Sequence, residues 1–169
     1  GHLIEIRRSR ASVAFGSVAR PVQAVSGVDL EIDAGEIVGI AGESGSGKTT
    51  LCAALIRALP KAARVSGEIR FDGRSMHALS PRELRELRGR EIAMILQNPM
   101  TSLDPLFTVG SQIVEAIRAH RRMSKAKAAE LAVSMLERVQ IPSARQRFSS
   151  YPHEMSGGMR QRAMIAMAL

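Results

Sequence analysis

Apolar and polar positions change their period along this chain, and each change predicts a different element. From Leu3 to Phe15 and from Val22 to Ile32 the pattern suits two strands of an antiparallel pair. The second alternates at Val28, Leu30 and Ile32 before the turn Asp33-Ala34-Gly35. Two continuous apolar runs, Ile37-Val38-Gly39-Ile40-Ala41 and Ile92-Ala93-Met94-Ile95-Leu96, predict strands buried on both faces of a parallel sheet. Thr50 to Ile56 follows the first run as a helix. After a break at Lys61 to Arg64, Gly67-Glu68-Ile69-Arg70-Phe71-Asp72-Gly73 is a short alternating strand. Ser80-Pro81-Arg82-Glu83 then opens a helix as a capping box, with Leu84 and Leu87 as its apolar stripe.

From Val109 the period is helical. Val109, Ile113 and Ile117 share one face, and Leu131, Met135, Leu136 and Val139 share another, which predicts a helical insert between sheet elements. Ser149 to Glu154 reads as irregular, and Ser156 caps a helix running to Leu169. No internal repeat or low-complexity tract interrupts this order.

With 169 residues, 45% of them hydrophobic, the chain can bury a core as one domain with room for an inserted subdomain. No apolar run approaches the roughly 18 to 20 residues that cross a bilayer. The start, Gly1-His2-Leu3-Ile4-Glu5-Ile6, carries no secretory pattern, so a cytosolic location is expected. Cys52, the only cysteine, excludes an internal disulfide and suits a small buried side chain. The net charge of +8 invites a nucleic-acid reading. Yet Lys and Arg are scattered, and one Tyr and four Phe give little for base stacking, so a solvated or phosphate-attracting surface is favoured.

The sharpest chemical signal is Gly42-Glu43-Ser44-Gly45-Ser46-Gly47-Lys48-Thr49, which fits G-x-x-x-x-G-K-[ST] between an apolar run and a helix. Its glycines let successive N–H groups turn inward around phosphate oxygens, and the helix start adds partial positive charge. Lys48 is expected on the outer phosphates of a nucleoside triphosphate. The Thr49 hydroxyl is expected in the octahedral shell of Mg²⁺, and Thr50 supports the loop or a phosphate through its N–H. Gln97, at the end of the second apolar run, is delivered to a strand's C-terminal end, where open α/β sheets bind ligands. Ser156-Gly157-Gly158 at a helix start is either an ordinary N-cap or a second anion site. The methionines at 155, 159, 164 and 167 suit adaptable packing, and His2, His77, His120 and His153 are too dispersed for a metal cluster.

Taken with the phosphate loop, Gln97 and the helical insert, Met155-Ser156-Gly157-Gly158-Met159-Arg160-Gln161-Arg162 resembles the signature of ATP-binding cassette proteins. Gln97-Asn98-Pro99-Met100-Thr101-Ser102-Leu103-Asp104-Pro105 and Tyr151-Pro152-His153-Glu154 resemble the oligopeptide, dipeptide and nickel importer branch. Met155 stands where leucine is usual, and Met159 where glutamine is usual.

The resemblance implies an α/β P-loop NTPase cassette with N-terminal antiparallel strands, a partial parallel core sheet and a helical insert subdomain. Its parts are a β-subdomain and phosphate-loop core (1–97), a glutamine loop and helical subdomain (98–156) and the signature helix (157–169). It further implies a cassette dimer holding two ATP molecules, each between one subunit's phosphate loop and the other's signature, with Ser156, Gly157, Gly158 and Met159 acting on the partner's ATP. Gln97 is implied to contact Mg²⁺ or the attacking water, and Phe15 to stack on adenine. Implied partners are a second cassette subunit, membrane-spanning permease subunits at the cytoplasmic face and, indirectly, a solute-binding protein. The family's Asp-Glu strand and switch histidine are expected beyond Leu169, so no catalytic residue is expected here. The apolar run Ala163 to Leu169 has no helix cap, which predicts a fragment cut at both ends. The expected function is ATP binding and hydrolysis that energises import of peptides or a related small solute. A soluble cassette ATPase acting on nucleic acid or ribosomes, supported by the basic charge alone, is the alternative.

Overall fold

A computed structural model describes residues 2–17, 20–96 and 102–169, with the backbone only at residues 2, 3, 7–9 and 17. The chain forms two compact units, residues 1–85 and 86–169.

The first unit is built on strands β1 (His2–Ser17) and β2 (Arg20–Asp33), antiparallel as their alternation predicts, with Val13 opposite Val25 and Phe15 opposite Val22. Strand β3 (Arg64–Ser66) pairs with Ser12 to Ala14, and β4 (Arg70–Phe71) pairs with Ile4 and Glu5. Strand β5 (Arg74–Ser75) completes an order of β2-β1-β4-β5 with β3 also on β1. The strand expected over 67–73 shrinks to β4 because Asp72 and Gly73 both take positive φ, 47° and 73°, and return the chain as β5. Helix α1 (Lys48–Leu55) packs on β1 and β2. Ile6, Val13, Leu51, Ile69 and Phe71 are buried in this unit. Each contributes about 1.5–3 kcal/mol by leaving water.

Helix α2 (Pro81–Leu87) begins at the anticipated capping box. Ser80 N donates to Glu83 Oε2 at 2.8 Å, and Glu83 N donates to Ser80 Oγ at 3.3 Å.

The second unit contains α3 (Val109–His120), α4 (Lys125–Arg138), α5 (Ala144–Arg147) and α6 (Gly157–Ala168). Their apolar faces meet as predicted: Val109, Ile113, Ala132, Leu136, Ala163 and Met164 share one core, with Ile117, Leu131 and Val139 packed against it. Each long helix starts on a hydroxyl. Thr108, Ser124 and Ser156 accept from the N–H groups of Ser111, Lys127 and Met159. The segment read as irregular contains a 3-10 turn, Pro152–Glu154, because Glu154 Oε2 accepts from Tyr151 N at 2.6 Å. No helix among the described residues is long and apolar enough to cross a membrane.

The two apolar runs depart from expectation. Residues 36–43 and 93–96 form no strand, the sheet of the described residues is wholly antiparallel, and the one parallel pairing among them is an isolated bridge between Arg88 and Ile92 outside that sheet. Ile37 is 97% exposed, and Ile95 and Leu96 are exposed as well. A parallel strand owes its ladder to neighbours distant in sequence, and among the described residues neither run has one. The apolar character is visible in the sequence; the pairing it needs is not supplied.

Candidate functional site: two helix starts

The first unit's candidate site lies where residues 42–47 turn into α1. Gly45 and Gly47 take φ of 82° and 91°, left-handed values that disfavour a side chain. Gly47 is also the N-cap of α1, and a Cβ there would collide with the carbonyl oxygen of Ala24 on β2. The loop is thereby pressed against the sheet that supports it. With no side-chain cap at Gly47, the first N–H groups of α1 lack the hydroxyl that the other long helices have.

Lys48, the first residue of α1, turns back over this loop. Its Nζ donates to Gly42 O at 2.8 Å, Glu43 O at 2.6 Å and Ser46 Oγ at 3.2 Å, which uses all three ammonium donors. A positive charge therefore sits inside the curve of the loop. Thr49 is exposed beside it and Thr50 half-buried. Glu43 and Ser44 are exposed on the loop itself. A threonine hydroxyl at this place has the hard oxygen that Mg²⁺ takes alongside phosphate oxygens. Phe15 is half-buried near the end of β1, opposite a Val22 that is largely exposed. Gln97 lies outside the described residues.

The second unit presents the start of α6. Ser156 is its N-cap, with φ −64° and ψ 160°, and Oγ accepts from Met159 N at 3.3 Å. Of the two readings left open for Ser156, the cap is thus realised, while a hydroxyl that accepts still has a proton to donate. Ser156, Gly157 and Gly158 are exposed, and a Cβ at either glycine would meet nothing within 4 Å. Open space of that kind admits a ligand or another chain to the backbone. Met155, in the usual leucine position, is buried and anchors the segment in the helical core, and Met159 is half-buried against it.

Two positioning groups escaped the sequence reading. Arg162 Nη1 donates to Gln140 O at 2.8 Å, tying the first turns of α6 to the end of α4. Gln112 Oε1 accepts from Asp104 N at 2.9 Å, while its amide donates to Asp104 O and Phe107 O, so α3 holds the segment after the glutamine loop. Neither residue has a spacing signal, since both bond to backbone groups, which every residue carries. Cys52 is a free, partly buried cysteine on α1 and takes no part in the site.

A glycine-lined loop at a helix start with a lysine inside it defines a phosphate-loop nucleotide-binding protein. Comparison with known proteins narrows the class: residues 25–169 match the family model described as ABC transporter, and the chain belongs to that family. It is 54% identical over 87% of its length to a "Probable peptide ABC transporter ATP-binding protein" of Sinorhizobium fredii, of which it covers 44%. It is 48% identical over 99% of its length to the oligopeptide transport ATP-binding protein of Salmonella typhimurium, covering 49% of that protein. With the dipeptide transport ATP-binding protein of Escherichia coli it shares 44% identity over 95% of its length, again covering 49%. The chain thus spans about half the length of the curated relatives it matches. Among solved structures, the ATP-binding cassette MJ0796, described as a dimer in a post-hydrolysis state bound to ADP and Pi, superposes with a TM-score of 0.82. The identity is 27%, over 98% of this chain and 68% of that one. The cassette fold expected from the sequence is therefore the fold of this chain.

Proposed function

We propose that this chain is the nucleotide-binding part of a subunit that binds and hydrolyses ATP to energise import of peptides or a related small solute through a membrane permease. The observation that carries the nucleotide is the Lys48 ammonium held within the glycine loop at the start of α1. The solute class rests on the peptide, oligopeptide and dipeptide transport relatives.

In this reading the N–H groups of residues 42–50 wrap the phosphates, Lys48 redirects donors from the Gly42 and Glu43 carbonyls to the outer phosphates, and Thr49 with Gln97 holds Mg²⁺. When bound, Mg²⁺ would supply positive charge to offset the negative charge developing on the transferred phosphoryl group. Phe15 stacks on the adenine. Ser156, Gly157, Gly158 and Met159 contact the nucleotide of a second cassette subunit, a role that fits the exposure of Ser156, Gly157 and Gly158 and the open space over both glycines. The working division of the chain is 1–97, 98–156 and 157–169. Partners are a second cassette, permease subunits at the cytoplasmic face of the membrane and, through them, a solute-binding protein. The nucleic-acid alternative finds no support among the relatives.

No apolar run in these 169 residues ends in Asp-Glu, so the chain by itself binds ATP weakly and does not turn it over. The test is ATP hydrolysis and ATP-driven uptake of a labelled dipeptide by the full-length protein with its co-purifying permease, beside Lys48→Ala. Hydrolysis and uptake that both need Lys48 support the reading. Steady turnover by the 169 residues alone, or uptake indifferent to Lys48, overturns it.

A further inference from the structure

Lys and Arg are scattered along most of the chain, but the turn between α3 and α4 concentrates five of them. Arg118, Arg121, Arg122, Lys125 and Lys127 fall within ten positions, and no acidic residue occurs between Glu115 and Glu130. All five are exposed, and among the described residues none of them has an ion-pair partner. Their placement also works against local stability. Lys125 and Lys127 occupy the first turn of α4, which has no acidic residue, so two positive charges face the positive end of the helix dipole. Acidic residues there would stabilise the helix; lysines there need an external reason.

Two further features describe the partner. The cations flank the α3–α4 turn on both sides, Arg118 in the last turn of α3 and Lys125 and Lys127 in the first turn of α4, and a spread of charge over two helix ends suits a broad anionic surface better than a single peptide. Arg118 and Lys125 also stand at the rim of an open groove of about 780 Å³ lined by Phe107, Val114 and Phe148, with Phe107 56% exposed. Cations beside an exposed aromatic ring match the interfacial zone of a bilayer, where phosphates lie next to acyl chains.

We propose that the α3–α4 turn contacts anionic lipid headgroups and holds the chain to the membrane surface independently of any permease. The choice of lipid over an acidic protein segment rests on the transport reading above. The charge cluster itself does not.

The experiment is co-sedimentation of the purified full-length protein with vesicles of phosphatidylcholine containing about a third phosphatidylglycerol, and with phosphatidylcholine alone, in the absence of nucleotide and permease. A protein that fails to hydrolyse ATP can therefore still pass, which separates this proposal from the preceding one. Two variants of equal net charge are compared: R121Q/R122Q/K125Q in the turn, and K61Q/R85Q/R90Q at exposed cations elsewhere. The expected result is binding to the anionic vesicles only, weakened on the order of a hundredfold by the turn variant and abolished by high salt, with the second variant near the parent. Equal losses in the two variants overturn the local patch in favour of overall charge. No binding by the parent overturns the lipid contact and leaves an acidic protein segment as the occupant.

Discussion

The starts of α1 and α6 carry similar glycine-bearing sequences and solve the same problem in opposite ways. Every helix begins with N–H groups that lack intrahelical partners. At α6 the chain satisfies one of them itself, through the Ser156 hydroxyl and Met159 N. At α1 the N-cap is Gly47, in a left-handed conformation and with no side chain to offer, and the space is curved around a lysine. A helix start that leaves its own donors to be satisfied by something else is organised for a ligand. A start that caps itself is a stable platform whose remaining exposed backbone can meet a second molecule. The difference separates a site that binds from a surface that presents.

Lys48→Ala breaks the contrast most severely. It removes the charge proposed to face the outer phosphates, and ATP affinity measured by titration calorimetry on the full-length protein is expected to fall on the order of a hundredfold, the loss of a few kcal/mol of charge-assisted hydrogen bonding. Stability changes little, because the three acceptors of Lys48 lie on an exposed loop. Unchanged affinity would remove Lys48 from the phosphate site.

Next in size is Gly47→Ala. A Cβ at φ 91° is strained by about 1–3 kcal/mol, and it would also collide with the Ala24 carbonyl. This variant lowers both the melting temperature and ATP affinity, unlike Lys48→Ala, which lowers affinity alone. A fully stable Gly47→Ala protein with normal affinity would show that the loop does not depend on its contact with β2.

How far each region was legible follows from where its hydrogen bonds go. The helices of the second unit could be read because their bonds close within four residues and their apolar faces repeat, so Val109, Ile113, Leu136 and the Ser156 cap all stand where expected. The β1–β2 pair was legible from alternation. Ile37–Ala41 and Ile92–Leu96 were read as paired strands and are not, since their composition states a preference for burial without providing a partner. The phosphate loop was fully visible as a motif, yet the collision that fixes Gly47 against Ala24 joins residues more than twenty positions apart and leaves no trace in spacing. Arg162 to Gln140 is hidden for the same reason: a backbone carbonyl accepts from any donor, so its own side chain carries no signal.

At the other helix start, Ser156→Ala removes one cap. The expected cost is about 1 kcal/mol, a fall in melting temperature of roughly 2–4 °C. On the proposed function, ATP affinity of the isolated subunit stays unchanged, because that reading assigns the subunit's own nucleotide to α1, while nucleotide-dependent dimerisation measured by sedimentation weakens. An affinity loss as large as that of Lys48→Ala would mean that the two helix starts act on one nucleotide within one chain, and the contrast drawn above would fail.

The start of α2 gives the smallest and most discriminating effect, because it is capped by its own charged side chain. Hydrogen bonds from the Ser80 hydroxyl and then from Ser80 N hold the Glu83 carboxyl below its ordinary value, with Arg74 adding a weaker pull in the same direction. A depressed folded-state value means that the unfolded chain takes up the proton first. The stabilisation is therefore fully present above the unfolded value of roughly 4.3 and is lost as pH falls from there through the lower folded value. Melting curves of the parent and Glu83→Gln should run apart by a small constant interval between about pH 8 and 5, and draw together as the pH falls below the unfolded value of roughly 4.3. Ser156→Ala, whose hydroxyl cap does not titrate, should keep its interval across the same range, apart from changes in other groups shared with the parent. If the Glu83→Gln interval instead widens on acidification, the carboxylate is not what caps α2, and self-capping by charge cannot be the counterpart of the start of α1, which has no side-chain cap.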